Sequence, residues 1–282
     1  MAGLTPGVQE KTFFRGRQWP FHLALIVTAL VIAFPLLYAS LIATQNNTEI
    51  FAFQMRPGSA LKSNFEAVWV RRDFAGAMWN STMQTFFVTV GKTILSLLAG
   101  LAFVYFKFRG KWIVFFLVLI TLMMPTEVMI LAMYRLVAGL GWQDTMAAIV
   151  VPFLASATGA FLFRQHFANL PTELLEASQI DGASPIQFLT KVLIPLSWNV
   201  IAALAVIQFV YTWNMFLWPS LIIRDEAKQV VQVALQTLTN IDGALTYGPL
   251  MLAAIIASIP PAIVFLLMQK PFMSGFAIGQ QK

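Results

Sequence analysis

Six runs of apolar residues, each long enough to cross a bilayer as helix, constrain this chain more than any other feature. A hydrocarbon core of about 30 Å takes about 20 helical residues, and lipid offers the backbone no hydrogen-bond partner, so such runs must be helical. They cover residues 21–44, 83–106, 112–136, 146–163, 198–223 and 247–268. Composition agrees: 59% of the 282 residues are hydrophobic and only 11% are charged, where soluble domains carry about 25% charge. A water-soluble enzyme is thereby excluded. Cys is absent and the two histidines are His22 and His166, which removes thiol chemistry, disulfides and a Cys/His zinc site. The net charge of +6 is what cytoplasmic loops rich in Lys and Arg supply, so it is no argument for nucleic acid.

The first run follows Lys11, Arg15 and Arg17, yet it exceeds the 7–15 residues of a signal core and no A-x-A site follows, so it reads as a retained span. Basic residues near span ends set the orientation. The N-terminal segment, residues 1–20, is expected inside, and so is the connection holding Lys107, Arg109 and Lys111. Six crossings then put the tail, residues 270–282, on the cytoplasmic side of a bacterial inner membrane. The permease domain between them, residues 21–269, has three long polar connections: 45–82 outside, 164–197 inside and 224–246 outside. Trp19, Trp69, Trp79, Trp112, Trp142, Trp198 and Trp218 stand near span ends and read as interfacial anchors.

The inner connection carries the most specific pattern. Pro171 and Thr172 suit a helix start, with Glu173 and Glu176 near the positive end of its dipole. Gly182 suits the left-handed conformation that ends that helix, and Ser184-Pro185 supplies the cap and first residue of a second one, expected to stop at Ile194-Pro195. The result is a helical hairpin, rigid at its turn, on the cytoplasmic side.

Glu176-Ala177-Ser178, with Gly182 six residues after the Glu and Val192-Leu193-Ile194-Pro195 beyond it, resembles the E-A-A…G…I-x-L-P signature of ATP-binding-cassette importer permeases. Phe74 through Trp79-Asn80-Ser81, Leu162-Phe163-Arg164-Gln165, the run from Tyr211 to Pro219, and Gln269-Lys270 with Phe272, Gly275 and Gly279 resemble the carbohydrate-uptake branch, which includes the smaller maltose permease subunit. Within it, the runs from Thr121 to Glu127 and from Ala155 to Gln165 are most similar to the sn-glycerol-3-phosphate permeases. The resemblance implies an all-α, six-span type I importer permease fold and a non-catalytic subunit. Its hairpin would be the coupling helix, with Glu173, Glu176, Ala177, Ser178, Asp181, Gly182 and Pro195 as the coupling residues. It also implies a homologous second permease, two ATPase subunits that hold ATP and Mg, and a periplasmic or lipid-anchored binding protein, with no cofactor on this chain. Branch members exchange substrates without changing fold, so a neutral sugar such as maltose or trehalose stands as the alternative cargo.

Gly91-Lys92-Thr93 imitates the end of a phosphate-binding loop, but Phe86 occupies the place of its first Gly and the stretch is apolar helix. Lys92 and Glu127 are ionisable groups deep in spans, where a charge costs at least about 2.5–3.5 kcal/mol. Each lies about nine residues, or about 14 Å, from the outer end of its run. Two readings stand side by side: a mutual ion pair retained for packing, or contact with substrate or a gate. Gln208, Trp213 and Asn214 offer hydrogen bonds and an aromatic face to a sugar or polyol, or serve interhelical packing. An ion-coupled secondary transporter is disfavoured by the scarcity of buried carboxylates, and an intramembrane enzyme by the lack of a catalytic constellation.

Overall fold

The structure is a computed structural model that describes residues 19–241 and 244–277. The expectations placed on Lys11, Arg15, Arg17 and Gly279 lie outside the described residues. Helix α1 (Trp19–Ile42) leads into two short helices, α2 (Asn47–Phe51) and α3 (Leu61–Glu66), the latter continuing as a π turn over Ala67–Arg71. Helix α4 (Phe74–Tyr105) is followed by α5 (Lys111–Thr121), α6 (Thr126–Gly139), α7 (Met146–Val150) and α8 (Ala157–Ala168). The hairpin consists of α9 (Glu173–Ile180) and α10 (Pro185–Phe188), extended through a π turn into α11 (Ile194–Leu196). Helix α12 (Trp198–Trp213), α13 (Leu217–Ile222) and α14 (Val231–Thr237) come next, then a two-residue antiparallel pair, β1 (Asn240–Ile241) with β2 (Ala244–Leu245), and α15 (Tyr247–Ala277).

The all-α architecture stands, but only three described crossings are unbroken: Trp19–Ile42, Phe74–Tyr105 and Tyr247–Lys270. The expected third span, 112–136, is two helices instead of one. Pro125 has no N–H to donate and holds φ −63°, ψ 130° before α6, which forces the break after Thr121. The fourth crossing bends by 41° between Met146–Phe153 and Ala157–Ala168. The fifth span, expected as one helix over 198–223, stops at Trp213 and resumes at Leu217. In α13, Pro219 sits in the first turn, where the missing N–H breaks no helical bond. The hairpin's second arm also outruns its expected stop at Ile194-Pro195. Helix persists to Leu196, then turns by 80° at Ser197 into α12, so the arm lies across the end of the bundle.

Residues 45–82 are less of a loop than their polarity suggests, because α4 starts at Phe74. Its first turns are held by the connection after α13: Asn80 donates to the carbonyls of Ala227 and Gln229 at 3.0 and 3.1 Å, and Ser81 Oγ accepts from Val231 N–H at 2.7 Å. Buried Gln45 and Asn64 fasten the short helices, Gln45 to the carbonyls of Gln54 and Arg56, Asn64 to those of Ala43 and Gln45.

Helix α4 is the axis of the bundle. It runs parallel to α8, pairing Ser96 with Gly159 and Gly100 with Phe163, and antiparallel to α12, which reaches it through Leu204 and Gln208. At the hairpin end, Leu97, Leu101, Phe163, Phe167, Phe188, Leu193, Val200 and Leu204 form one buried cluster. At the other end, Val88, Val137, Ile149, Phe153, Trp218 and Ile222 form a second. Trp218 was expected as an interfacial anchor; it is buried, and its indole N–H donates to the Ala148 carbonyl at 3.0 Å.

The α4–α8 approach gives a test. A Cβ on Gly100 would stand 2.6 Å from Phe163 Cβ and 3.0 Å from its carbonyl carbon. Gly100→Ala should therefore lower the melting temperature, because overpacking costs about 1–3 kcal/mol while helix propensity returns about 1 kcal/mol. A higher melting temperature would mean that the two backbones are not in contact.

Asp144 ties the 140–145 connection to the end of α13. Its carboxylate accepts the N–H groups of Arg224 and Asp225, and these donors, aided by the charges of Lys228 and Arg224, hold its pKa below the ordinary carboxylate value. A depressed folded-state pKa stabilises the fold above the unfolded value of about 3.9 and loses that effect as pH falls through the folded value. Asp144→Asn should thus melt earlier than the parent at neutral pH, with the two curves converging as the pH is lowered past about 4.

Candidate functional site

Two constellations are built on this frame, one at the hairpin and one at mid-bundle. In the hairpin, Gly182 takes φ +71°. Ala183 N–H donates to the Ser178 carbonyl at 2.9 Å and Gly182 N–H to that of Gln179 at 3.1 Å, the paired bonds that close a helix on a left-handed residue. Immediately beyond, Ser184 and Gln187 cap each other's backbone N–H, at 2.8 and 3.3 Å, so no loose residue separates the two arms. Glu173, Glu176, Ala177, Asp181, Gly182 and Pro195 are exposed, while Ser178 is buried and bonds back to the Leu175 carbonyl. The tip also presents Ile180, 87% exposed, and Ile186, 58% exposed. Sequence reasoning passed over both, although two isoleucines flanking a Gly turn among polar residues are a legible docking signal.

The root of the hairpin is keyed to the spans. Phe188 meets Tyr105 of α4 edge-to-face at 5.1 Å, and Tyr105 Oη donates to the Phe167 carbonyl of α8 at 3.3 Å. The hairpin is thus packed onto α4 and α8 through rings and onto α12 through Leu193, Val200 and Leu204.

At mid-bundle, Lys92 is 7% exposed and donates to Gln208 Oε1 at 2.9 Å, with its ammonium 5.4 Å from the centre of the Tyr211 ring. The oxygen opposite Lys92 thus belongs to Gln208. Glu127 stands in the first turn of α6, and its side chain lies outside the described residues. Lys92 is one member of a buried polar stripe along α4, Ser81, Thr85, Thr89, Lys92 and Ser96, whose spacing of three and four keeps it on one helix face. Among the described residues, the hydroxyls of Thr85, Thr89, Ser96 and, across the seam on α12, Thr212 have no hydrogen-bond partner. That stripe was readable from the spacing and went unread, because each small hydroxyl taken singly is unremarkable in a span.

Of the readings open to Trp213, packing is the one its contacts carry: it is buried, stacks on Phe209 at 5.8 Å and donates to the Ala257 carbonyl of α15 at 3.0 Å. Asn214 occupies the break between α12 and α13 and receives a 3.4 Å bond from Gln232. Beside it opens a cavity of about 370 Å³ lined by Tyr211, Phe216, Trp218, Phe153 and Met133. Tyr211 joins this cavity to the Lys92 seam. Gly91-Lys92-Thr93 lies inside continuous helix, so it forms no phosphate loop.

A multi-span bundle with a rigid hairpin locked to its central helices defines a membrane-embedded transport subunit. Residues 92–274 match the family described as the binding-protein-dependent transport system inner membrane component. The chain belongs to this family of ATP-binding-cassette importer permeases. It is 38% identical over 264 residues to the sn-glycerol-3-phosphate transport system permease protein UgpE of Brucella melitensis, covering 90% of this chain and 94% of that one. The UgpE protein of Yersinia enterocolitica is 39% identical over 269 residues, covering 92% and 96%. Among solved structures, a chain of a bacterial transporter involved in import of the acidic polysaccharide alginate superposes with a TM-score of 0.79 at 21% identity, over 94% of this chain and 99% of that one. A second, the alginate transporter in complex with an alginate pentasaccharide-bound periplasmic protein, gives a TM-score of 0.60 at 16% identity, over 89% and 93%. Both share the type I permease fold.

The Lys92–Gln208 bond can be tested without substrate. Removing Gln208 alone leaves a buried ammonium without its acceptor, a loss of about 1.5–3 kcal/mol for a hydrogen bond to a charged group. Gln208→Leu should lower the melting temperature more than the double variant Lys92→Met/Gln208→Leu does. Additive effects would show the two groups to be independent.

Proposed function

We propose that this permease forms half of the translocation path for sn-glycerol-3-phosphate or related glycerophosphodiesters, driven by ATP and Mg on two separate ATPase subunits. The observation that carries the driven mechanism is the hairpin: a capped turn with an exposed apolar tip, keyed by Phe188 and Tyr105 to the spans. The tip fits a groove of an ATPase subunit, with Glu173, Glu176, Ala177 and Asp181 at the contact and Ser178, Gly182 and Pro195 shaping it. Closure of the ATPases on ATP would then swing α4, α8 and α12 together and exchange inward for outward access.

The substrate assignment rests on the relatives' names and on the chemistry of the seam. Lys92 supplies a cation suited to a phosphate, and Gln208, Asn214 and the unpartnered hydroxyls suit a polyol. Trp213 serves by holding α12 against α15. Glu127, in the first turn of α6, belongs to the same candidate path. A homologous permease completes it, and a binding protein, periplasmic or lipid-anchored, delivers cargo to the face opposite the hairpin. Both termini are assigned to the cytoplasm from the positive residues near span ends.

The experiment is ATP hydrolysis by the complete complex with its binding protein, comparing glycerol-3-phosphate, glycerophosphodiesters, maltose and trehalose. Stimulation by the phosphate compounds is expected; stimulation only by a neutral sugar would overturn the substrate assignment and keep the importer. In the same assay Gly182→Val, which forces a β-branched residue to positive φ, should reduce stimulation at least about tenfold, equivalent to about 1.4 kcal/mol of barrier. Full stimulation in that variant would remove the hairpin from the drive.

A further inference from the structure

The start of α5, at the hairpin end of the bundle, carries a basic cavity that the transport mechanism leaves unused. It has a volume of about 310 Å³ and is lined by Lys107, Phe108, Gly110, Lys111, Trp112 and Ile113. Arg109 flanks it, and the sequence has no acidic residue between Asp73 and Glu127. Lys111 Nζ donates to the carbonyls of Val104 and Phe106 at 3.3 and 3.1 Å, whereas the Lys107 and Arg109 side chains are exposed and have no partner among the described residues. A further cation, Arg164 of α8, lies over the rings of Trp112 and Phe115 at 5.0 and 4.4 Å. Lys107 and Lys111 thus line a cavity with exposed Trp112, Arg164 lies over the Trp112 ring, Arg109 follows two residues after Lys107, and among the described residues α4, α5 and α8 carry no carboxylate.

An apolar groove opens along the same helix. Its volume is about 480 Å³, and Ala99, Phe103, Val114, Val118, Ala157 and Ala160 are among its walls. Lys111, Val114, Val118 and Thr121 recur at spacings of three and four, so the cation and the groove share one face of α5. The alanines of α4 and α8 leave this face unfilled towards lipid.

We propose that this end of α5 binds an anionic phospholipid, its phosphate held by Lys107, Arg109 and Lys111 and one acyl chain lying in the groove between α4, α5 and α8. Charge complementarity selects the head group, because a basic pocket between spans at the membrane surface attracts anionic lipid by about fivefold per cation. The apolar groove one helical turn deeper selects a lipid over a free anion. Phosphatidylglycerol has both parts; phosphatidylcholine has the chain without the net negative charge. The proposal requires only that the bundle sits in a membrane, so it stands apart from the choice of transported substrate.

The test uses the complete complex in nanodiscs of phosphatidylcholine carrying a small fraction of photoactivatable phosphatidylglycerol. Cross-linked peptides should concentrate in residues 99–121 and 155–164, and competition by unlabelled phosphatidylglycerol should abolish them. Lys107→Gln/Arg109→Gln/Lys111→Gln should reduce that cross-linking at least about tenfold. Ala160→Leu, which narrows the groove and leaves the cations in place, should reduce it as well. Three results would overturn the proposal: labelling spread evenly over all spans, displacement of the lipid by millimolar inorganic phosphate, or cross-linking of the groove to the companion permease in place of lipid. Size-exclusion of each variant as an intact complex separates lost binding from lost folding.

Discussion

Hydrocarbon offers no hydrogen bond to an exposed peptide group, and the rest of this architecture depends on that constraint. A helix satisfies it within itself; a broken helix needs help. The described chain breaks its spans after Thr121, at 154–156, at Ser197 and at 214–216, and Pro152 and Pro261 each leave free the carbonyl four residues earlier. Trp218 donates to the Ala148 carbonyl of the bent fourth crossing, which Pro152 leaves free, and Trp213 to the Ala257 carbonyl of α15, which Pro261 leaves free. Asp144 gathers the N–H groups of Arg224 and Asp225 where α13 ends. The two indoles do for carbonyls freed by proline, and the carboxylate for the chain leaving α13, what i→i−4 bonds do elsewhere.

The same economy explains how a polar seam survives at mid-bundle. Small hydroxyl residues on α4 let α8 and α12 approach closely, and Lys92 is tolerated there because Gln208 and the face of Tyr211 meet its charge. Such a seam is costly if it is only packing, since Thr85, Thr89, Ser96 and Thr212 hold hydroxyls without partners. The proposed translocation path would account for that cost, since groups idle in one arrangement would meet water or cargo in another.

Much of this was legible in the sequence, for definite reasons. Length and hydropathy fix the spans because a bilayer has a fixed thickness, and the hairpin declares itself because Gly182 and Ser184-Pro185 are local signals that need no tertiary information. The breaks in the third and fifth spans were less legible. Pro125 and Pro219 announce them, but prolines are also tolerated within membrane helices, and only neighbouring side chains decide which outcome holds. Trp218 was misread as an anchor because composition near a span end does not reveal which way an indole faces. Lys92 is recognisable as a buried charge, yet the acceptor its ammonium bonds, Gln208, stands 116 positions away, beyond the reach of any spacing rule.

The length of α4 has a further consequence. Its 32 residues extend about 48 Å, well beyond the hydrocarbon thickness of about 30 Å. One end is fastened by Asn80 and Ser81 to the connection after α13, the other by Tyr105 and Gly100 to the hairpin's root and α8. A single uninterrupted rod thus touches the watery margin on both sides of the membrane. Tilting it about its middle would move its two ends in opposite directions, so an event at either surface would be reported mechanically at the other without any signal having to pass through soft chain.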